Sequence, residues 1–250
     1  MIPKIIHYCW FGGKPKSEIA LKCIESWQKY APDFEIKEWN EDNTKQFHNK
    51  FYKDAYRKKR YAFVADVIRV SVLNKYGGIY MDLDMLLLKP LDHILAYKFF
   101  SGYEVEDRIA FGLFGGVSGH RFFKLMQEFY DTMHFNQFSL PVITHTFSSI
   151  INDSKITENE CIYSPEFFYS FTYQNREEDF NKFLTSKSVA VHLWDHSWAQ
   201  KQERETIWNL LKNIKTVILD YLFYSYPKSY LIRYVRGFTR KIVHILILKN

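Results

Sequence analysis

A chain of 250 residues, 47% hydrophobic and 25% charged, is long enough to bury a full core in one globular domain, which excludes a disordered or fibrous protein. Its net charge of +6 gathers in residues 53–60 and 228–249 instead of interleaving with aromatics. That distribution argues against nucleic-acid binding and leaves an anionic substrate or membrane surface as the partner for the charge.

Cys9, Cys23 and Cys161 are odd in number and lack CxxC spacing, so neither a disulfide framework nor a zinc cluster is expected, and a reducing compartment fits best. The chain starts MIPKIIHYCW, without a charged-then-apolar leader, and no apolar run reaches about 18 residues. A cytoplasmic protein that spans no membrane is the expectation.

In chain order, residues 4–10 (KIIHYCW) are an apolar run closed by Gly12 and Gly13, the pattern of a buried strand entering a loop. Residues 17–30 place Ile19, Ala20, Cys23, Ile24 and Trp27 at helical spacing, and Pro32 ends the helix. Residues 34–39 (FEIKEW) alternate like a half-buried strand, so the chain opens as βαβ in an α/β fold. Residues 61–76 predict a helix with an apolar middle, stopped by Gly77 and Gly78, and residues 79–82 a strand. Residues 108–117 predict one or two strands and 120–135 an amphipathic helix, before the pattern weakens into aromatic-rich loops and short helices. Residues 188–193 are a last core strand and 200–213 a helix. The division expected is a main domain at 1–215 and a helical, basic-amphipathic extension at 216–250.

Four constellations carry chemistry. Asp82-Leu83-Asp84 follows a strand, where residues two apart point the same way and both carboxylates can face one divalent ion. With 13 Asp in the chain, a DxD arises by chance about 0.7 times, so the flanks must supply the specificity. They do: the two aspartates are the only charges in an apolar run from Ile79 to Leu88, where an unpartnered carboxylate is costly. Asp66 and Arg69 share a helix face and pair either with each other or with a sugar or ribose hydroxyl. In HLWDHSW (192–198), His192 suits Mn²⁺ or a phosphate, and Trp194 and Trp198 bracket a slot for a sugar face or uracil. In the tail, Leu231, Val235, Phe238, Ile242 and Leu246 fall on one helical face opposite Arg233, Arg236 and Arg240, suiting either an anionic membrane interface or docking on the core.

The strings IPKIIHYCWFGG, YAFVADVIRVSVLNKYGGIYMDLDM and VHLWDHSW together resemble the DXD-motif sugar transferases of glycosyltransferase family 32, found in bacterial capsule and cell-surface polysaccharide loci. The glucosyltransferase domain of large clostridial toxins is a more distant likeness. The resemblance implies a GT-A fold, a Rossmann-like mixed sheet flanked by helices, with Mn²⁺ or Mg²⁺ as cofactor. It implies a retaining hexosyl transfer from a nucleotide-sugar, UDP-hexose above GDP-mannose, to a glycan or lipid-linked glycan. By position it puts Trp10 against the base, Asp66 and Arg69 on the sugar, and Tyr80 and Asp82 on ribose or sugar. Asp84 falls on the metal, with Asp82 and His192 as further candidate ligands, while His192, Trp194 and Ser197 close on the diphosphate and Trp198 stays with the donor slot. Asp82, Asp84 and Arg69 are the candidate catalytic residues. The tail adds a possible seat on the inner face of the cell membrane. The rival readings are a metal-dependent nucleotide-sugar hydrolase and a peripheral membrane scaffold without catalysis.

Overall fold

The computed structural model describes residues 1–133, 135, 142–152 and 154–195, with scattered residues between 214 and 240. A six-stranded sheet has the order β2-β1-β3-β6-β5-β7, from β1 (Ile5–Cys9), β2 (Glu35–Trp39), β3 (Gly78–Met81), β5 (Phe99–Val105), β6 (Arg108–Gly116) and β7 (Glu160–Tyr163). β1 runs parallel to β2 and β3, β6 is antiparallel to β3 and β5, and β7 is parallel to β5, so the sheet is mixed. A second, two-stranded antiparallel sheet joins β4 (Met85–Leu87) to β8 (Ala190–His192). The expected α/β architecture, a mixed sheet flanked by helices, is the one formed.

Strand alternation explains the two layers. On β3, Tyr80 joins a core with Phe51, Val64, Ile68, Phe123 and Phe147, which come from α2 (Lys50–Arg57), α3 (Tyr61–Tyr76), α4 (Arg121–Thr132) and α5 (Ile143–Asn152). Ile79 and Met81 point the other way, into a core with Trp27, Leu87, Phe168 and Val191 from α1 (Glu18–Tyr30), β4, α6 (Pro165–Phe168) and β8. Both faces of β3 are thus covered, and all four of its residues are buried.

Local chemistry sets the element ends. Ser17 caps α1 by accepting from the Ala20 N–H at 3.1 Å. Gly77, at φ +67°, closes α3 through its N–H to the Leu73 carbonyl, and Gly78 follows at φ +104°. A Cβ on Gly78 would sit 2.8 Å from the Ile5 oxygen, so β1 and β3 pair here because no side chain intervenes. Beneath this junction the Trp39 Nε1–H donates to His7 Nδ1 at 3.0 Å, and His7 Nε2–H donates to the Gly77 carbonyl at 2.9 Å. Burial holds that imidazole neutral, its pKa lowered to about 4.

Four elements depart from the sequence reading. α2 lies where only a basic cluster was read, β4 in what was read as apolar flank, β5 was not foreseen, and β7 lies in a stretch read as loops and short helices. The expected helix at 200–213 lies outside the described residues, as do Ser197 and Trp198. In the tail, described residues 231, 232, 235, 236 and 238–240 are helical, and Val235 is half exposed. Among the described residues no helix is long and apolar enough to cross a membrane.

Candidate active site

The DXD segment is a tight turn between β3 and β4. The Asp82 N–H donates to the Gly112 carbonyl at 2.7 Å, and the Met85 N–H donates back to the Asp82 carbonyl at 2.9 Å. Asp82 and Asp84 are therefore the first and third residues of a turn, rather than the alternating pair of a strand end. α1 pins the outgoing strand, because Trp27 Nε1–H donates to the Met85 carbonyl at 2.8 Å and the Leu87 N–H donates to Ser26 Oγ at 2.9 Å.

Asp82 turns toward α3. Its Oδ1 receives the Tyr80 hydroxyl at 3.1 Å and lies 3.2 Å from an Arg69 nitrogen. Arg69 is 7% exposed, lies 3.3 Å from Asp66, and donates to the Phe111 carbonyl at 2.8 Å. Its guanidinium sits 4.4 Å over the Tyr80 ring. Of the two pairings open to Asp66 and Arg69, the one with each other is formed, and it also reaches the DXD turn. Burial outweighs the pull of Arg69 on Asp66 and pushes that carboxyl up to about 7. Asp82 is raised by the same desolvation, against Arg69, with the Asp84 charge adding to the rise.

Asp84 turns the other way. The β4–β8 ladder sets Met85 opposite His192, and the Leu193 N–H donates to the Asp84 carbonyl at 2.8 Å. His192 Nε2 then stands 3.0 Å from Asp84 Oδ1, both side chains being 14% exposed. Burial lowers the His192 pKa, but Asp84 beside it prevails and raises it. His192 Nδ1 is buried and has no hydrogen-bond partner among the described residues. Trp194 holds φ +57°, which a bulky side chain rarely adopts, with its ring 3.9 Å from that of His192. Next to it, Ser17 Oγ donates to Asp195 at 2.6 Å, tying the start of α1 to the segment after β8. Trp10 sits at the end of β1, its Nε1–H donating to the Lys14 carbonyl at 2.6 Å.

The structure therefore brings Asp66, Arg69, Tyr80 and Asp82 into one network and joins Asp84 to His192 and Trp194. Three neighbours escaped the sequence reading. Tyr169 accepts from the Leu113 N–H at 3.0 Å beside Asp82, Glu104 faces the His192 side, and Cys9 lies near Arg69 and Tyr80. Tyr169 and Glu104 sit in stretches where no periodicity marked them, and Cys9 was weighed only for disulfides and zinc.

Among the described residues no three acidic, histidine or cysteine side chains converge as a preformed metal cluster. Asp84 Oδ1 and His192 Nε2 face each other at 3.0 Å, a carboxylate and an imidazole that would form one edge of a divalent-cation site.

Residues 17–100, which contain the DXD turn and the Asp66–Arg69 pair, match the family described as glycosyltransferase sugar-binding region containing DXD motif. That match covers about a third of the chain. Among curated proteins it is 30% identical to an uncharacterized glycosyltransferase of Acanthamoeba polyphaga mimivirus, over 63% of this chain and 66% of that one. It is 30% identical to inositol phosphoceramide mannosyltransferase 3 of Schizosaccharomyces pombe, over 59% of this chain and 42% of the relative. The chain thus spans between about two fifths and two thirds of the length of these relatives. PaToxG glycosyltransferase, a solved structure, aligns with a TM-score of 0.44 and 18% identity over 52% of this chain and 59% of that one.

Proposed function

We propose that this chain is a metal-dependent glycosyltransferase that moves a hexose from a nucleotide-sugar to a glycan or lipid-linked glycan. The observation that carries it is the DXD turn itself: Asp84 and His192 stand 3.0 Å apart on one side, and Asp82 is locked to Arg69 and Tyr80 on the other. The match at residues 17–100 and the mannosyl transfer in the yeast relative's name support a hexose donor.

Asp84 and His192, with Asp82 beside them, would hold the divalent ion, which supplies Lewis acidity toward the diphosphate. The protein's own part is positioning. Arg69, buried and braced by two carboxylates and the Phe111 carbonyl, keeps Asp82 in place for a sugar or ribose hydroxyl. Trp10 is assigned to the base, and Trp194 and Ser197 to the diphosphate side. The anomeric carbon–phosphate oxygen bond breaks as the acceptor oxygen bonds to that carbon, and the acceptor proton leaves with the diphosphate. This front-side course retains configuration. UDP-hexose as donor, Mn²⁺ as ion, cell-surface polysaccharide synthesis as setting, and a tail seated on an anionic membrane belong to the same reading.

The test is Asp84→Asn, a near-isosteric change in a turn held by backbone hydrogen bonds. Metal-dependent donor binding and transfer should vanish while the circular dichroism spectrum stays unchanged. Binding unaffected by the substitution would end the assignment. A rise in released nucleotide on adding acceptor distinguishes transfer from hydrolysis.

A further inference from the structure

Beside the DXD turn lies a cleft of about 320 Å³ whose walls include Glu104, Arg108, Thr144, Tyr173, Gln174 and Trp194. That volume falls within the range of small-molecule sites. Trp194 is a wall shared with the DXD side, its ring lying 3.9 Å from His192 and 5.6 Å from Tyr173. Its Nε1–H donates to the Phe171 carbonyl at 2.9 Å, which fixes the indole in that position.

Glu104 reaches the cleft through a break in strand register. β5 and β6 pair Tyr103 with Ile109 and Val105 with Arg108, and the register shifts between these pairs, at Glu104. A bulge of this kind re-aims a side chain at a sheet edge. Glu104 and Trp194 line this one cleft, so the carboxylate opens on the wall that the DXD side shares. Arg108 Nη2 donates to Glu104 Oε1 at 3.0 Å, while Arg108 Nε is buried with no partner among the described residues.

The chemistry of these walls selects a ligand class. Arg108, the cation among the described lining residues, is already paired with Glu104, so the described walls offer no spare positive charge for a phosphate. What it does offer is a carboxylate that accepts, an amide and a hydroxyl that do both, and two aromatic rings for an apolar ring face. We propose that this cleft is the acceptor subsite and takes a neutral polyhydroxylated ring, a pyranose or cyclitol, with Glu104 accepting from its hydroxyls. The assignment rests on the glycosyltransferase reading above. It goes beyond it in naming where the acceptor sits and which residues select it.

The experiment uses the full chain and two measurements. Saturation-transfer NMR reads binding of methyl α-D-mannopyranoside, methyl α-D-glucopyranoside and myo-inositol, with mannose 6-phosphate as the charged comparator. Thermal shift with Mn²⁺ and nucleotide-sugar reads donor binding. At least one neutral ring should bind the wild type better than the phosphorylated probe. Glu104→Gln should weaken it about tenfold, the scale of a lost charge-assisted hydrogen bond. Tyr173→Ala, at a side chain that is 40% exposed, should weaken it similarly if the Gln variant folds poorly. Donor shifts should stay at the wild-type value in both. Donor binding without neutral-ring binding, neutral-ring binding undiminished in both variants, or preference for the phosphorylated probe each overturns the subsite and leaves the transferase reading standing. A wild-type chain that binds no nucleotide-sugar overturns that reading instead, and the acceptor role with it.

Discussion

Gly112 decides where Asp82 can lie. A Cβ there would fall 3.0 Å from Asp82 Oδ2 and 3.3 Å from the Tyr169 oxygen, so the DXD turn approaches β6 only because the side chain is missing. Its φ is not in the left-handed region, so Gly112→Ala is tolerable to the backbone and acts on the carboxylate. Displacing a positioned group by a fraction of an ångström to one ångström costs up to about 100-fold in turnover. The expected outcome is kcat/KM for donor turnover down by about that factor, with the melting temperature lowered by only a few degrees. Full activity in this variant would remove Asp82 from the machinery. Arg69 poses the opposite case, since it is the single cation between Asp66 and Asp82, each within 3.3 Å. Arg69→Met strands two recessed carboxylates, and breaking a buried pair this way costs about 3–5 kcal/mol. Denaturant unfolding should show that loss, and Asp66→Asn, which leaves Arg69 with Asp82, should show much less.

At the scale of elements, legibility follows from how each one is punctuated and covered. α1 and α3 could be read because Ser17 caps one and Gly77 closes the other at positive φ. β5 could not, because its first four residues are all buried and give no alternation, and β4 has only three residues inside a longer apolar run. α2 hides Phe51, Tyr52 and Ala55 behind the lysines that draw the eye. Asp82, Asp84 and His192 were legible as residue types out of place in apolar surroundings. Tyr169 and Glu104 were not, since only sheet register and a bulge bring them to the site. Register also sets an acid-sensitive joint, where Glu160 at the start of β7 meets Arg121 at 2.7 Å and His120 at 3.0 Å at the start of α4. Burial opposes the Glu160 charge, but Arg121, the Thr157 N–H and His120 hold its pKa down to about 2. A carboxyl depressed from about 4.5 contributes stability that is full above that pH and lost as pH falls toward 2. The contribution is no more than about 3 kcal/mol, reduced by solvent screening on the half-exposed Arg121. Glu160→Gln should therefore lower the melting temperature at pH 6, with the gap to wild type narrowing steadily as pH falls from about 4.5 toward 2. A constant gap across that range would refute the linkage. His7, neutral when folded, lowers the stability of both proteins alike between about pH 6.5 and 4 and cancels from the comparison, whereas His120, its pKa lowered by burial against the pull of Glu160, titrates together with the joint.

On the scale of the whole molecule, the site is closed by a strand from far along the chain. β8 carries His192 to Asp84 by pairing with β4, and α1 anchors β4 from beneath, so residues near 17, 84 and 192 share one junction. A donor seated between Asp82 and Trp194 would touch both cores and favour only the assembled state. Its binding energy must then appear as global stability, about 2.7 kcal/mol at a concentration 100 times Kd. For a chain of 250 residues, each kcal/mol is worth about 2–4 °C, so the correct nucleotide-sugar with metal should raise the melting temperature by about 5–10 °C. Screening UDP- and GDP-hexoses, each with Mn²⁺, Mg²⁺ or EDTA, ranks base and ion in one experiment. The shift should disappear with EDTA and in Asp84→Asn, and shrink in His192→Ala, which loses one of the two ligands on the proposed edge. A full shift in EDTA would mean that the donor is held by Arg69 and the aromatic walls without an ion, and the carboxylate turn would then need another explanation.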